Sequence, residues 1–212
     1  MSGNFTESVV EEAALEWFGA LGYRVMFGPT IAPGEPAAER ASYEQILLEG
    51  RLRDALRRLN PAVPAEALDE AFRKLTRISS PQLVDANHEL HYYLVNDVSV
   101  EYLRADGTIG YDTGAVRVID FDDPGRNNLL VVNQYTIAEG GRTRRPDVVV
   151  FVNGLPLAVI IFSSAGHDAR VRWDRSVSGV IAASGSGPAT VPGYSFGANK
   201  EDPIRRKGTV GR

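Results

Sequence analysis

Cysteine is absent from all 212 residues, which removes disulfides, thiolate metal sites and cysteine nucleophiles together and fits a reducing cytoplasm. Nor does any run approach the ~18 apolar residues of a membrane span. The N-terminus, MSGNFTESVVEEAALEW, places acids where a secretory leader would place bases. A cytoplasmic protein without membrane attachment is the expectation. Basic excess is missing too: the net charge is -4, so any contact with nucleic acid has to be local. The phosphate loop G-x-x-x-x-G-K-[ST] does not occur, which excludes ATP binding by that route. The three histidines, His88, His91 and His167, offer no i, i+4 zinc pair and read as structural or exposed.

The residues that are present describe an ordinary globular chain. A hydrophobic share of 43% against 24% charged is enough for one substantial core, which argues against a fibre or wholesale disorder. Thr6 can cap a helix from Glu7 to Leu21, with Glu7, Glu11 and Glu12 in its first turns, where the helix dipole favours anions. Its apolar face is expected at Val9, Val10, Ala13, Ala14, Trp17, Phe18 and Leu21. Tyr23 to Phe27 reads as a strand, and GPTIAPGEPAAERAS as a loop. Helical spacing returns at Tyr43, Ile46, Leu47, Leu52, Ala55, Leu56 and Leu59, then over Glu66 to Leu75, and again between Gln82 and Val95.

From Val98 the period becomes that of strands: VSVEYL, Val116 to Phe121, LLVVNQYTI, and DVVVFVNGLPLAVII. Helices followed by four or five strands predict an α/β or α+β fold with a central mixed sheet flanked by helices. Residues 1–163 form that domain. Residues 164–212 lose the apolar periodicity, hold 8 of the 21 glycines and carry 8 basic against 4 acidic residues. This segment is expected to be a disordered tail.

The most informative segment is RRPDVVVFVNGLPLAVIIFSS, where two apolar runs flank Asn153-Gly154, a strong hairpin signal. A two-residue loop places Asp147 opposite Ile160, a three-residue loop opposite Ile161, and a four-residue loop opposite Phe162. In each case the side chains near position 161 approach Asp147, because opposed residues hold their Cβ atoms ~5 Å apart. Taken alone, Asp147 is an ordinary strand-initial acid after a proline. Arg142, Arg144 and Arg145 just before it read first as a solvated lead-in and second as phosphate contacts. Asp120, Asp122 and Asp123 lack the later Gly and Glu of a calcium loop and read as a solvated turn.

Pro-Asp, an apolar hairpin and then Glu-x-Lys is the pattern of the PD-(D/E)xK nucleases. The surrounding text resembles the N-terminal end of the R (restriction) subunit of type I restriction enzymes, in TESVVEEAALEWFGALGY, SYEQILLEGRLRDALRRLNP, VRVIDFDDPGRNNLLVVNQYTI and RRPDVVVFVNGLPLAVI. This resemblance runs nearly continuously from residue 4 to about 160. It implies Mg²⁺-dependent cleavage of double-stranded DNA after ATP-driven translocation by other domains, in a complex with methyltransferase (M) and specificity (S) subunits. Asp147 matches the first metal-binding acid. Glu11 or Glu7 matches an acidic position on the first helix that supports the metal, and Arg144 and Arg145 are candidate DNA contacts.

The sequence then departs from the family. Where the resemblance leads one to expect L-A-V-I-E-L-K, it reads LAVIIFS, so Ile161 stands for the second acid and Ser163 for the lysine. Isoleucine offers a hard cation no oxygen, and serine has neither the charge nor a usable base. A later Gln-x-x-x-Tyr motif is missing as well. The expectation is a chain that does not cut DNA, alternatively a non-catalytic module that docks on DNA or on its partner subunits. Because family text stops abruptly at this point, a reading-frame slip near codon 161 accounts for the change better than scattered substitution.

Overall fold

The computed structural model describes residues 7–78, 82–103 and 111–162. Thr6, Ser163, His167 and the expected disordered tail lie outside those residues. In chain order the first elements are α1 (Glu7–Ala20), β1 (Arg24–Phe27), α2 (Glu49–Leu59), α3 (Ala65–Thr76), α4 (Leu83–Asn96), β2 (Val98–Leu103) and β3 (Tyr111–Val116). Then come β4 (Leu129–Asn133), β5 (Ile137–Glu139), β6 (Arg142–Arg144), β7 (Val148–Val152) and β8 (Leu155–Ile160).

A mixed four-stranded sheet in the order β1-β4-β7-β8 forms the centre, with β1 parallel to β4 and the other pairs antiparallel. Side chains alternate across it. Val131, Val148 and Val150 meet Leu15 and Phe18 of α1 on one face. Leu130, Val132, Val149, Phe151 and Val159 meet Ile31, Ile46 and Leu48 on the other. A third cluster, built from α2, α3, α4 and the β2–β3 hairpin, packs around Val152 and Leu155 at the turn end of the sheet. The expected mixed sheet flanked by helices is therefore the architecture observed.

The details differ from the sequence reading in four places. First, α1 faces the sheet through Glu11, Leu15 and Phe18 (i, i+4, i+7), while Trp17 is 75% and Leu21 71% exposed. The expected stripe leaves out Glu11, a charged position that the fold turns toward the sheet and partly covers. Second, Tyr43 to Leu48 is not helical, and α2 begins only at Glu49. Its backbone is taken by tertiary partners: the Tyr135 hydroxyl donates to the Ile46 carbonyl, Ala138 N–H to the Tyr43 carbonyl, and Leu48 N–H to the Gly154 carbonyl. A backbone group engaged in this way is lost to a helix.

Third, the strand expected over Val116 to Phe121 instead occupies Tyr111–Val116, and from Val98 onward seven strands are described where four or five were expected. Beyond Val116 asparagine side chains replace the ladder. Asn60 accepts from Arg117 N–H, Asn127 accepts from Asp120 N–H, and Asn153 donates to the Val118 carbonyl. Asn153 is fully buried, and its carboxamide also bonds Asn127 Oδ1 and Asn128 N–H. Its replacement by Ala leaves several buried partners unsatisfied, each costing ~1–3 kcal/mol. Urea unfolding of Asn153→Ala should show a loss of about 3 kcal/mol or more.

Asp120, expected in a solvated turn, is buried instead. The Asp123 N–H holds its carboxylate below the usual carboxylate range, against the opposing effect of burial, with Arg117 and Arg126 adding to the shift. A lowered folded pKa means that this stabilisation is present above pH 3.8, the unperturbed value, and is lost as pH falls through the folded pKa. Asp120→Asn should accordingly flatten the acid limb of a stability–pH curve. An unchanged acid limb in that variant would refute the assignment.

Candidate functional site

The β7–β8 hairpin carries Asp147 to the end of the sheet opposite its turn. The tight turn at Asn153-Gly154 pairs Val152 with Leu155, which by itself would align Asp147 with Ile160. A bulge between Phe151↔Pro156 and Val150↔Ala158 adds Leu157 to β8, so Val148 meets Ile160 and the register brings Asp147 opposite Ile161. Pro156 was the available signal, since a proline in a strand often marks a bulge or an edge. Of the three alignments open to the sequence, the structure selects the second, by a bulge and not by a longer loop.

Asp147 is half-buried. One carboxylate oxygen accepts the Phe162 N–H at 2.6 Å, and its carbonyl accepts the Gln134 N–H at 2.9 Å. Ile161 packs beside Met26 against the core of the same sheet face. The position opposite Asp147 thus presents hydrocarbon. Ser163 lies outside the described residues.

Glu11 reaches the same end of the sheet from α1. Its carboxylate accepts the Asn133 carboxamide N–H at 2.9 Å and the Gln134 carboxamide at 3.3 Å on each oxygen. The structure therefore joins Glu11 to Asp147 through Gln134. Glu7 opens α1 one turn earlier, and its side chain lies outside the described set. Asn133 and Gln134 went unremarked in the sequence as part of a strand, although a polar pair inside an apolar run was a visible signal. Among the described residues no group of three or more His, Cys, Asp or Glu is arranged to hold a metal ion. Asp147 and Glu11 supply carboxylate oxygens that suit a hard cation, but the acid that would close the set is not there.

Just before Asp147, the small β5–β6 sheet presents Arg142 and Arg144, with Arg145 following, and all three side chains are exposed. Buried Ile137 and the Ala138–Tyr43 backbone bond anchor this hairpin. Among the described residues no helix is long and apolar enough to cross a membrane.

Comparison with known proteins matches the same span. The family model described as type I restriction enzyme R protein N terminus covers residues 4–160. The putative type I restriction enzyme MjaIXP endonuclease subunit of Methanocaldococcus jannaschii is 34% identical over 159 residues, which is 74% of this chain and 15% of that protein. The HindI endonuclease subunit of Haemophilus influenzae is 32% identical over 154 residues, 72% of this chain and 14% of that protein. The chain thus spans about a seventh of the length of these relatives. The matched residues include the whole central sheet, the Asp147 strand and the Glu11 helix, and on that ground the chain belongs to the type I restriction enzyme R protein family, in its N-terminal region.

Proposed function

We propose that this chain is a nuclease-derived DNA-binding region of a type I R subunit that has lost the ability to cut. The observation that carries the reading is the bulged register that ends at Val148↔Ile160, which, continued by one residue, sets Ile161 against Asp147. The place for a second metal-binding acid is taken by a partly buried hydrocarbon side chain packed against the core, and the Asp147 carboxylate is engaged by a backbone N–H. In the full-length family, cleavage of double-stranded DNA would draw on Mg²⁺ at this site, on an ATP-driven motor, and on M and S subunits in the cytoplasm. Asp147 and Glu11 remain from that site, while Ile161 and Ser163 contribute nothing to it. The family match stops at residue 160, which supports a reading-frame slip as the origin of the change.

Exposed Arg142, Arg144 and Arg145 favour retained contact with DNA phosphates, the non-catalytic docking alternative. Two assays test the proposal together. With supercoiled plasmid and Mg²⁺ the chain should nick no faster than a protein-free control. In a salt titration of duplex binding, Arg144→Ala with Arg145→Ala should reduce the slope of log K against log salt by about 2, one per lost phosphate contact. Plasmid nicking that disappears in Asp147→Asn would overturn the loss of cleavage, and an unchanged slope would remove the arginines from the interface.

A further inference from the structure

Arg40 is buried, with 4% of its surface exposed, and among the described residues none of its three guanidinium nitrogens has a hydrogen-bond partner. Its neighbours are rings. The guanidinium carbon lies 3.8 Å from the centroid of Tyr135 and 5.3 Å from that of Tyr43. An aromatic face attracts a cation placed over it, but the five N–H donors of a guanidinium point outward in its own plane, where the rings offer them nothing. The adjacent acid is engaged elsewhere, since Glu39 holds Arg51 through both carboxylate oxygens. The Tyr135 hydroxyl donates to the Ile46 carbonyl. A buried cation without an acceptor is costly, so its retention in the fold calls for an anion.

Its place narrows the choice of anion. Val149 and Phe151 of β7 pack with Tyr135 and Ile161, whereas Val148 and Val150 face α1. Alternation carried back one residue sets Asp147 on the face of Val149, which is also the face of Tyr135. The Gln134 N–H bonds the Asp147 carbonyl, and Tyr135 is the next residue along. The Tyr43 carbonyl accepts the Ala138 N–H of β5, which ties the hairpin of exposed Arg142 and Arg144 to the same group. Through its two tyrosines Arg40 is thus joined both to the Asp147 end of the sheet and to the arginine hairpin. One unpartnered guanidinium matches one negative charge, and a phosphodiester carries one charge with two free oxygens for the fork.

We propose that Arg40 is a receptor for a phosphodiester of the DNA backbone, covered in the free chain by Tyr43. Tyr43 is 40% exposed, while Tyr135 is fully buried. Tyr43 swings out, the guanidinium takes two phosphate oxygens, and Tyr135 stays beneath it as a platform. The proposal rests on the reading of this chain as a DNA-binding region, and adds a buried phosphate contact to the exposed arginines of β6.

In the full chain, the Arg40 Nε–H signal of a ¹⁵N–¹H spectrum, assigned by its loss in Arg40→Met, reads the site directly. Dimethyl phosphate, a phosphodiester with one negative charge, should shift that signal saturably, and the absence of a saturable shift would overturn the proposal. Arg40→Lys keeps the charge without the fork, and should weaken dimethyl phosphate binding, read on the Tyr43 amide, at least about tenfold. Stability separates a receptor from a structural arginine. Without ligand, Arg40→Met replaces an unpartnered cation by hydrocarbon and should raise Tm by about 2 °C or more. A fall in Tm would show that the guanidinium serves the fold and would overturn the receptor. In duplex binding, Arg40→Met should lower the slope of log K against log salt by about 1, and an unchanged slope would overturn DNA as the source of the phosphodiester. If the native chain binds no duplex, the DNA-binding reading itself fails, and the dimethyl phosphate titration still decides whether Arg40 is a phosphodiester receptor.

Discussion

The chain carrying Ile161→Glu and Ser163→Lys should bind Mn²⁺ at least about tenfold more tightly than the native chain, with most of the gain lost again in Asp147→Asn. The argument is geometric. The bulged register places position 161 directly across from Asp147, where the Cβ atoms of opposed residues lie ~5 Å apart and two carboxylates can share one cation. Ile161 packs on the sheet core, so a glutamate there is partly desolvated. Without metal the double variant should therefore lose roughly 1–3 kcal/mol of stability. Saturating Mn²⁺ should return it, because a ligand that binds only the folded state stabilises by RT ln(1 + [L]/Kd), about 2.7 kcal/mol at a hundred times Kd. Isothermal titration and urea unfolding with and without Mn²⁺ measure both halves. A folded double variant whose Mn²⁺ affinity and stability match the native chain would sink the assignment of Asp147 as the first acid.

Gly154→Val should be at the edge of folding at all, with a destabilisation of about 4 kcal/mol or more in urea unfolding. Two independent effects act at this residue. Its φ of +83 is strained for any side chain, and a Cβ would lie 2.5 Å from the Leu48 carbonyl oxygen and 2.8 Å from the Leu52 nitrogen. Those atoms belong to the start of α2, where the Leu48 N–H also donates to the Gly154 carbonyl. Relief would require moving the helix away from the hairpin that carries Asp147. Gly140 provides the contrast, since its φ is +55 and nothing lies within 4 Å of a Cβ there. Gly140→Ala should cost only about 1 kcal/mol, the backbone term alone. If Gly154→Ala proved no worse than Gly140→Ala, the hairpin turn would not be seated on α2 as described.

Much of this organisation was legible in the residue pattern. The 3.6-residue period of Leu52, Ala55, Leu56 and Leu59 located α2, and continuous apolar runs on either side of Asn153-Gly154 located β7 and β8. The pattern misled where tertiary partners compete for the same backbone. Tyr43 to Leu48 has helical spacing, yet its N–H and C=O groups bond to Gly154, Ala138 and Tyr135. Residues 117 to 120 have strand composition, yet Asn60, Asn127 and Asn153 satisfy them. Long-range side-chain to backbone bonds of this kind leave no periodic trace.

The sequence by itself determined the family, the fold class, the hairpin and the chemical fact that position 161 carries no oxygen, because these depend on residue identity and on periods of two and 3.6. Only the tertiary structure decided which residue faces Asp147, since that depends on a one-residue bulge. It also decided that Glu11 lies on the buried face of α1 and that Gln134 turns left-handed to meet it. Each of these is a register or an angle, set by how separate elements pack against one another, and a one-residue shift in either leaves local composition unchanged while moving every side chain to another face.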